Sequence, residues 1–338
     1  MMDEMDRATV KIKVIGNSML AVRPALEFDP RYTFVYDPDC ADYDWLVVFD
    51  EMPDEDRGTF RNGCEPLACP RERTILCTWE PVSIKSYSGA YTRQFGHLLT
   101  NRPFEADRHP HPHLGRGYFP WFVSRFPLRR GAAAALKSKG ISAVCSGKRM
   151  KHTRHNDRYL LVETLARSVP GLEWYGKGVR PLAHKEDALD AYRYHVAIEN
   201  HIAPHHWTEK FADAILCESL PFYAGDPALT EIFPAESFIP IPIDDPREAV
   251  RIVNDAIATD QYAKRVDAIL EAKRLIFEKY NFWAQVIGVI ESASDSPPSS
   301  LISHPSSLIY ARKALRWHNP AAALEDGADH LKRFLRII

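Results

Sequence analysis

The chain has 338 residues, 45% hydrophobic and 26% charged, a globular balance long enough for about two domains. Forty-three basic against forty-five acidic side chains give a net charge of −2, so no overall electrostatic pull toward nucleic acid follows. No run approaches the roughly 18 uncharged apolar residues of a membrane span. The acidic opening MMDEMDRATV lacks the apolar core of a signal peptide, so a cytoplasmic protein is expected.

Val10, Ile12 and Val14 alternate with Lys11 and Lys13, the period of a half-buried strand. Thr33-Phe34-Val35-Tyr36 and Trp45-Leu46-Val47-Val48-Phe49 are β-branched or aromatic runs, each followed by aspartate. Thr74 to Thr78 and Gly96 to Thr100 add two more. Continuous apolar runs of this length suit strands covered on both faces, as in a parallel α/β sheet. Residues 101–132, with His109-Pro110-His111-Pro112-His113, look irregular and read as a joint.

A second alternation begins at Ile141. Strands are expected at Ile141–Ser146, Leu172–Tyr175, Tyr194–Ile198, Leu220–Tyr223 and Ser237–Ile241. Helices are expected over 157–168, from Thr208, and near 246–258 and 260–279. Strand–helix alternation repeated on either side of a joint predicts an α/β protein of two Rossmann-like, doubly wound domains facing a cleft. The expected division is 1–132, 133–291, and a linker with an amphipathic helical tail over 292–338.

In that tail Leu308, Ala311 and Leu315 share one face, and Leu324, Leu331, Leu335 and Ile338 another. Six Arg or Lys stand against three Asp or Glu over 305–338. Docking on the body of the protein is the favoured use of these faces. A homodimer contact or a peripheral contact with an anionic inner-membrane surface are the other two. The six cysteines, Cys40, Cys64, Cys69, Cys77, Cys145 and Cys217, show no paired spacing and read as mostly buried thiols.

Several signals point to an anion. Thr208 suits an N-cap, and Glu209 in the first turn suits the positive helix end. Lys210 opposes the helix dipole unless an anion lies in front of the helix and is shared by both. Arg158 opens another helix after the strand ending at Ser146, beside Lys148, Arg149, Lys151 and Arg154. A diphosphate between Arg158 and Lys210 would meet two positive charges. A basic solvated loop and a solvated helical lysine are the alternatives. Asp37-Pro38-Asp39 and the histidine runs are not read as metal sites. Gly115-Arg116-Gly117 and Gly176-Lys177-Gly178 fail the dinucleotide fingerprint, since Pro120 and Pro181 replace its third glycine.

The run Tyr194-His195-Val196-Ala197-Ile198-Glu199-Asn200, then Thr208-Glu209-Lys210-Phe211, then Leu220-Pro221-Phe222-Tyr223-Ala224-Gly225 resembles the signature of the α1,3/α1,4-fucosyltransferases, glycosyltransferase family 10. Supporting matches are Ser146 with Arg158, Leu172 to Gly178, Ser237-Phe238-Ile239 and Tyr280-Asn281-Phe282-Trp283. The resemblance covers about residues 140–285. It implies a GT-B fold, a GDP-β-L-fucose donor, a glycan acceptor, and no required metal or cofactor. It implies that Arg158 and Lys210 contact the diphosphate, that Glu209 accepts from the ribose hydroxyls, and that Asn200 is a polar donor-site residue. Ile198, His201 and His206 depart from the pattern and leave the donor sugar open.

A base is also needed for the acceptor hydroxyl. Glu80 follows the strand Thr74–Thr78, where the family carries a comparable glutamate, and Trp79 beside it would raise its pKa by desolvation. The function expected is inverting fucosyl transfer to a glycan, such as a bacterial surface polysaccharide. The same fold with another nucleotide sugar, or a non-catalytic nucleotide- or glycan-binding module, are the alternatives.

Overall fold

The computed structural model describes residues 9–16, 29–53, 55–78, 80–81, 84–115, 117, 120–123, 137–150, 153–294 and 308–334. The chain forms two units, one of residues 1–115 with 283–338 and one of residues 116–282. The sequence suggested joints at 132 and 291. The change of unit comes earlier each time, for visible reasons. The Phe122 and Val123 amides donate to Asp213 at 2.9 and 3.4 Å, and Trp121 stacks on Phe277, so this segment belongs to the second unit. The Trp283 indole donates to the Tyr36 hydroxyl at 2.7 Å, which returns the chain to the first.

The first unit opens with β1 (Val10–Ile15), β2 (Tyr32–Val35), β3 (Trp45–Phe49), β4 (Cys64–Pro66) and β5 (Thr74–Cys77). The short α1 (Gly89–Thr92), β6 (His97–Thr100), α2 (Pro103–Ala106) and β7 (Pro112–Leu114) follow. Six of these strands form one parallel sheet in the order β2-β1-β3-β5-β6-β7. All five residues of β3 are buried, which is why its run carries no polar residue. The proline-rich segment is more regular than expected. Its Pro112–Leu114 is an edge strand, the position in a sheet that tolerates proline. Lys13 also departs from simple alternation. It is fully buried and meets Glu65 at 2.8 Å and the Thr59 hydroxyl at 2.6 Å, the pairing that a buried charge requires.

The second unit contains β8 (Lys139–Val144), α3 (His155–Ser168), β9 (Leu172–Tyr175), β10 (Tyr192–Ile198), α4 (Glu209–Leu216), β11 (Leu220–Ala224) and β12 (Ile239–Pro240). Its sheet, in the order β12-β11-β10-β8-β9, is parallel throughout, with Val196 between Ala143 and Phe222. The strand order reverses between β8 and β10, the switch point at whose carboxyl edge such sheets bind ligands. α5 (Pro246–Ala258) begins with Pro246 and is capped by Asp245, and α6 (Gln261–Glu278) is capped by Asp260.

α7 (Phe282–Ser294) opens at the change of unit, and β13 (Leu308–Tyr310), α8 (Arg312–His318) and α9 (Pro320–Phe334) lie with the first unit. β13 pairs antiparallel with β4. α9 docks by the face opposite to the one expected. Glu325 meets Arg108 at 2.6 Å and Arg93 at 2.8 Å, and Asp329 meets Arg108 at 2.8 Å. Leu324 and Leu331 are 77% and 56% exposed. Leu335 and Ile338 lie outside the described residues. All six cysteines are free thiols, with Cys40 and Cys64 half-buried and the other four buried. Among the described residues, no helix is long and apolar enough to cross a membrane.

Candidate active site

β10 runs out at Ile198, and Glu199 and Asn200 stand at its carboxyl end, on the switch-point edge. The chain then loops to Thr208, whose extended backbone and side-chain oxygen cap α4 by accepting from the Lys210 amide at 3.4 Å. α4 is held by its apolar side. Phe211 is fully buried with ring neighbours Phe233, Tyr223 and Trp207 at 5.1, 5.3 and 5.9 Å. Packing of Phe211 among these aromatics, and of α4 against β10 and β11, fixes the direction in which the helix N-terminus points.

Charge is concentrated at that terminus. The Glu199 carboxylate is fully buried and accepts from the Thr208 amide at 2.9 Å and from the Thr208 hydroxyl at 2.7 Å. The Lys210 ammonium lies 2.9 Å from Glu209, 3.1 Å from the Thr208 hydroxyl and 3.4 Å from Glu199. Burial pushes the Glu199 carboxyl up, against the pull of Lys210. Burial would raise Glu209 too, but the Lys210 and Lys185 ammoniums outweigh it and hold the carboxyl at about 2. For Lys210 burial works downward, and Glu209 and Glu199 together raise it above its ordinary value. The ammonium is therefore charged throughout the physiological range.

Arg158 arrives from the first turn of α3. It is 8% exposed and donates to the Asn200 side-chain carbonyl. Among the described residues, its Nε has no hydrogen-bond partner and no carboxylate forms an ion pair with it. Its charge is felt at Lys210, so the two cations share one neighbourhood. A buried guanidinium answered by a neutral amide and the Cys145 thiol, and among the described residues by no carboxylate, leaves uncompensated positive potential beside a helix N-terminus, the combination that binds anions.

The structure thus brings Arg158, Asn200, Glu209 and Lys210 together. Glu80 belongs to the other unit; it follows the carboxyl end of β5 and is half-buried. Trp79 and Lys151 lie outside the described residues. The basic loop before α3 does not act as a block. Arg154 is committed to Asp244 at 2.6 Å and Asp157 at 3.0 Å, and Arg149 lies over the Tyr159 ring. Among the described residues of this group, only Arg158 is buried.

Three residues at the site carried no assignment from the sequence. Glu199 was legible only as part of a motif. Lys185 reaches Asp213 at 2.5 Å and, through its charge, Glu209. Asp213 sits one turn beyond Glu209 on α4, an i, i+4 spacing that was available to find it. Among the described residues, no three His, Cys, Asp or Glu side chains converge as a metal site would require.

No family model matches the chain, and no curated protein matches it in sequence. Solved structures do match. An α1,3-fucosyltransferase crystallised with GDP-fucose superposes with a TM-score of 0.52 at 16% identity, covering 88% of this chain and 94% of that one. An α1,3-fucosyltransferase with GDP gives 0.52 at 16% identity, over 88% and 93%. A further α1,3-fucosyltransferase structure gives 0.51 at 14% identity over the same shares. At such identity the likeness is one of fold: the two parallel α/β units of this chain have the GT-B glycosyltransferase fold.

Proposed function

We propose that the protein is an inverting glycosyltransferase that moves L-fucose from GDP-β-L-fucose to a hydroxyl of a glycan acceptor. One observation carries the donor half. A buried cation, Arg158, and a half-buried one, Lys210, flank a capped helix N-terminus at the switch point of a GT-B unit, and Arg158 lacks a carboxylate counter-charge among the described residues. A diphosphate supplies that charge. Glu209, ionised down to about pH 2, is fitted to accept hydrogen bonds from ribose hydroxyls, and Asn200 orients Arg158.

The reaction is a single displacement. Glu80 removes the acceptor proton as the hydroxyl oxygen attacks the anomeric carbon, and GDP leaves from the opposite face. The β-linked donor becomes an α-linked product. Negative charge growing on the leaving diphosphate is met by Arg158, Lys210 and the end of α4. Support for Glu80 is its place beyond the carboxyl end of β5, together with the resemblance of its segment to the fucosyltransferase glutamate. The acceptor proposed is a bacterial surface polysaccharide.

Release of free nucleotide, measured across GDP-, UDP-, ADP- and CMP-linked sugars, tests this. GDP-fucose is expected to give the fastest release. Turnover with a non-fucose donor alone, the question that the departures at Ile198, His201 and His206 leave open, overturns the choice of sugar.

A further inference from the structure

Glu199 looks misplaced. A buried carboxylate stands at the helix N-terminus where an anionic ligand is expected, and plain Coulomb repulsion would make it an obstacle to binding. Its contacts explain why it is there. The Thr208 hydroxyl has one proton and two lone pairs. Its proton goes to Glu199 at 2.7 Å, and its lone pairs then face the Lys210 amide at 3.4 Å and the Lys210 ammonium at 3.1 Å. Glu199 thereby sets the polarity of the hydroxyl that receives Lys210, and stands 3.4 Å from the same ammonium.

The surroundings clamp the carboxylate. The Glu199 amide donates to the Ala224 carbonyl at 2.8 Å. A Cβ at Gly225 would lie 2.6 Å from Glu199 Cγ and 2.2 Å from the Tyr223 hydroxyl, so only glycine leaves room there. The other partner of Lys210, Glu209, is the more accessible carboxylate, its side chain 13% exposed against 1% for Glu199. It is the residue that turns to ribose in the proposed donor complex.

We infer that Glu199 is a positioning residue for the diphosphate: it keeps the Lys210 ammonium in place and charged while Glu209 exchanges Lys210 for the ligand. This deepens the proposed function and rests on its anion site, though not on its choice of nucleoside or sugar. A glutamine at 199 would offer an amide N–H to Thr208 Oγ1 and compete with Lys210 for its lone pairs. Lys210 would then be held by Glu209 alone, and lost when Glu209 moves.

The test is the sign of a binding change. Inorganic pyrophosphate, GDP and guanosine are titrated against the full chain and E199Q. Glu199→Gln is expected to weaken pyrophosphate and GDP by the same factor, about tenfold or more, the scale of a charge-assisted hydrogen bond. Guanosine binding stays as it was, whereas a general loss of packing would weaken all three. Thr208→Val removes the hydroxyl at constant shape and is expected to act in the same direction, with Thr208→Ser restoring wild-type affinity. Unchanged or tighter pyrophosphate binding by E199Q and T208V overturns the inference, because Glu199 is then only a counter-charge. Wild-type binding of GDP no tighter than pyrophosphate overturns the guanine assignment and leaves the role of Glu199 standing.

Discussion

The two units solve the same electrostatic problem differently at the carboxyl edges of their sheets. In the first, cations meet carboxylates. Lys85 lies between Asp50 at 2.7 Å and Glu51 at 2.6 Å, and Arg102 meets Glu105 at 2.8 Å. In the second, Lys210 is shared by two carboxylates, while Arg158 is answered by the neutral Asn200 amide and Cys145 thiol and, among the described residues, by no carboxylate. Both edges bury charge at a desolvation cost. Among these cations of the described residues, only Arg158 has no carboxylate to offset that cost. A charged edge alone therefore does not mark a ligand site; the imbalance at Arg158 is what the proposed donor site rests on.

The most severe way to break this comparison is at Glu80. If the first unit supplies the base, Glu80→Gln lowers kcat by about 10²–10⁴ and leaves GDP affinity unchanged. Full activity in this variant, measured by GDP release and by calorimetric titration of GDP, would remove Glu80 from the chemistry.

The next effect separates a balanced arginine from an unbalanced one. Arg158→Ala is expected to weaken GDP by roughly 10- to 100-fold, the range of a charge-assisted hydrogen bond, with a small change in melting temperature. Relieving a buried cation of its desolvation partly offsets the packing that is lost. Arg102→Ala is expected to do the reverse. It strands Glu105, which is 4% exposed and which burial already pushes up in pKa, and so destabilises by about 3–5 kcal/mol without changing GDP affinity. Equal effects on binding from both variants would show that the imbalance at Arg158 has no functional meaning.

The sheets and the capped helix α4 were legible because their signals are local. Period, apolar run length and capping chemistry are properties of a few consecutive residues, as at Trp45–Phe49 and Thr208–Lys210. What stayed hidden depends on partners distant in sequence. Lys13 reads as the polar side of a strand until Glu65 is brought against it. Asp213 is an unremarkable helical carboxylate until Lys185 and the Phe122 amide reach it. In α9 the apolar stripe was seen correctly and its use inverted, because Arg93 and Arg108, more than 200 residues earlier, decide which face docks. Helix periodicity separates two faces without saying which one the rest of the chain wants.

The smallest expected effect concerns protons. His195 on β10 is fully buried beneath the site. Ser142 donates to the Ala188 carbonyl, so its oxygen accepts from His195 Nδ1 at 2.8 Å. Burial, helped by the Lys185 and Lys137 charges, pushes this imidazole down to about 3. The unfolded chain takes up a proton near pH 6.5 and the native state does not, so stability falls as pH drops from 6.5 toward 3. Between pH 6.5 and 5 the cost is about 2 kcal/mol. His195→Leu removes that slope, and Ser142 keeps its bond to Ala188. In the first unit, burial lowers His97 and His109 to about 4, so that unit carries its own acid sensitivity. Urea midpoints of the wild type and H195L at pH 6.5 and 5 isolate the second-unit contribution, since the histidines of the first unit are common to both. An equal drop in the two proteins would mean that His195 is protonated in the native state, and that the charged floor beneath Lys185 and Glu209 is less dry than its burial indicates.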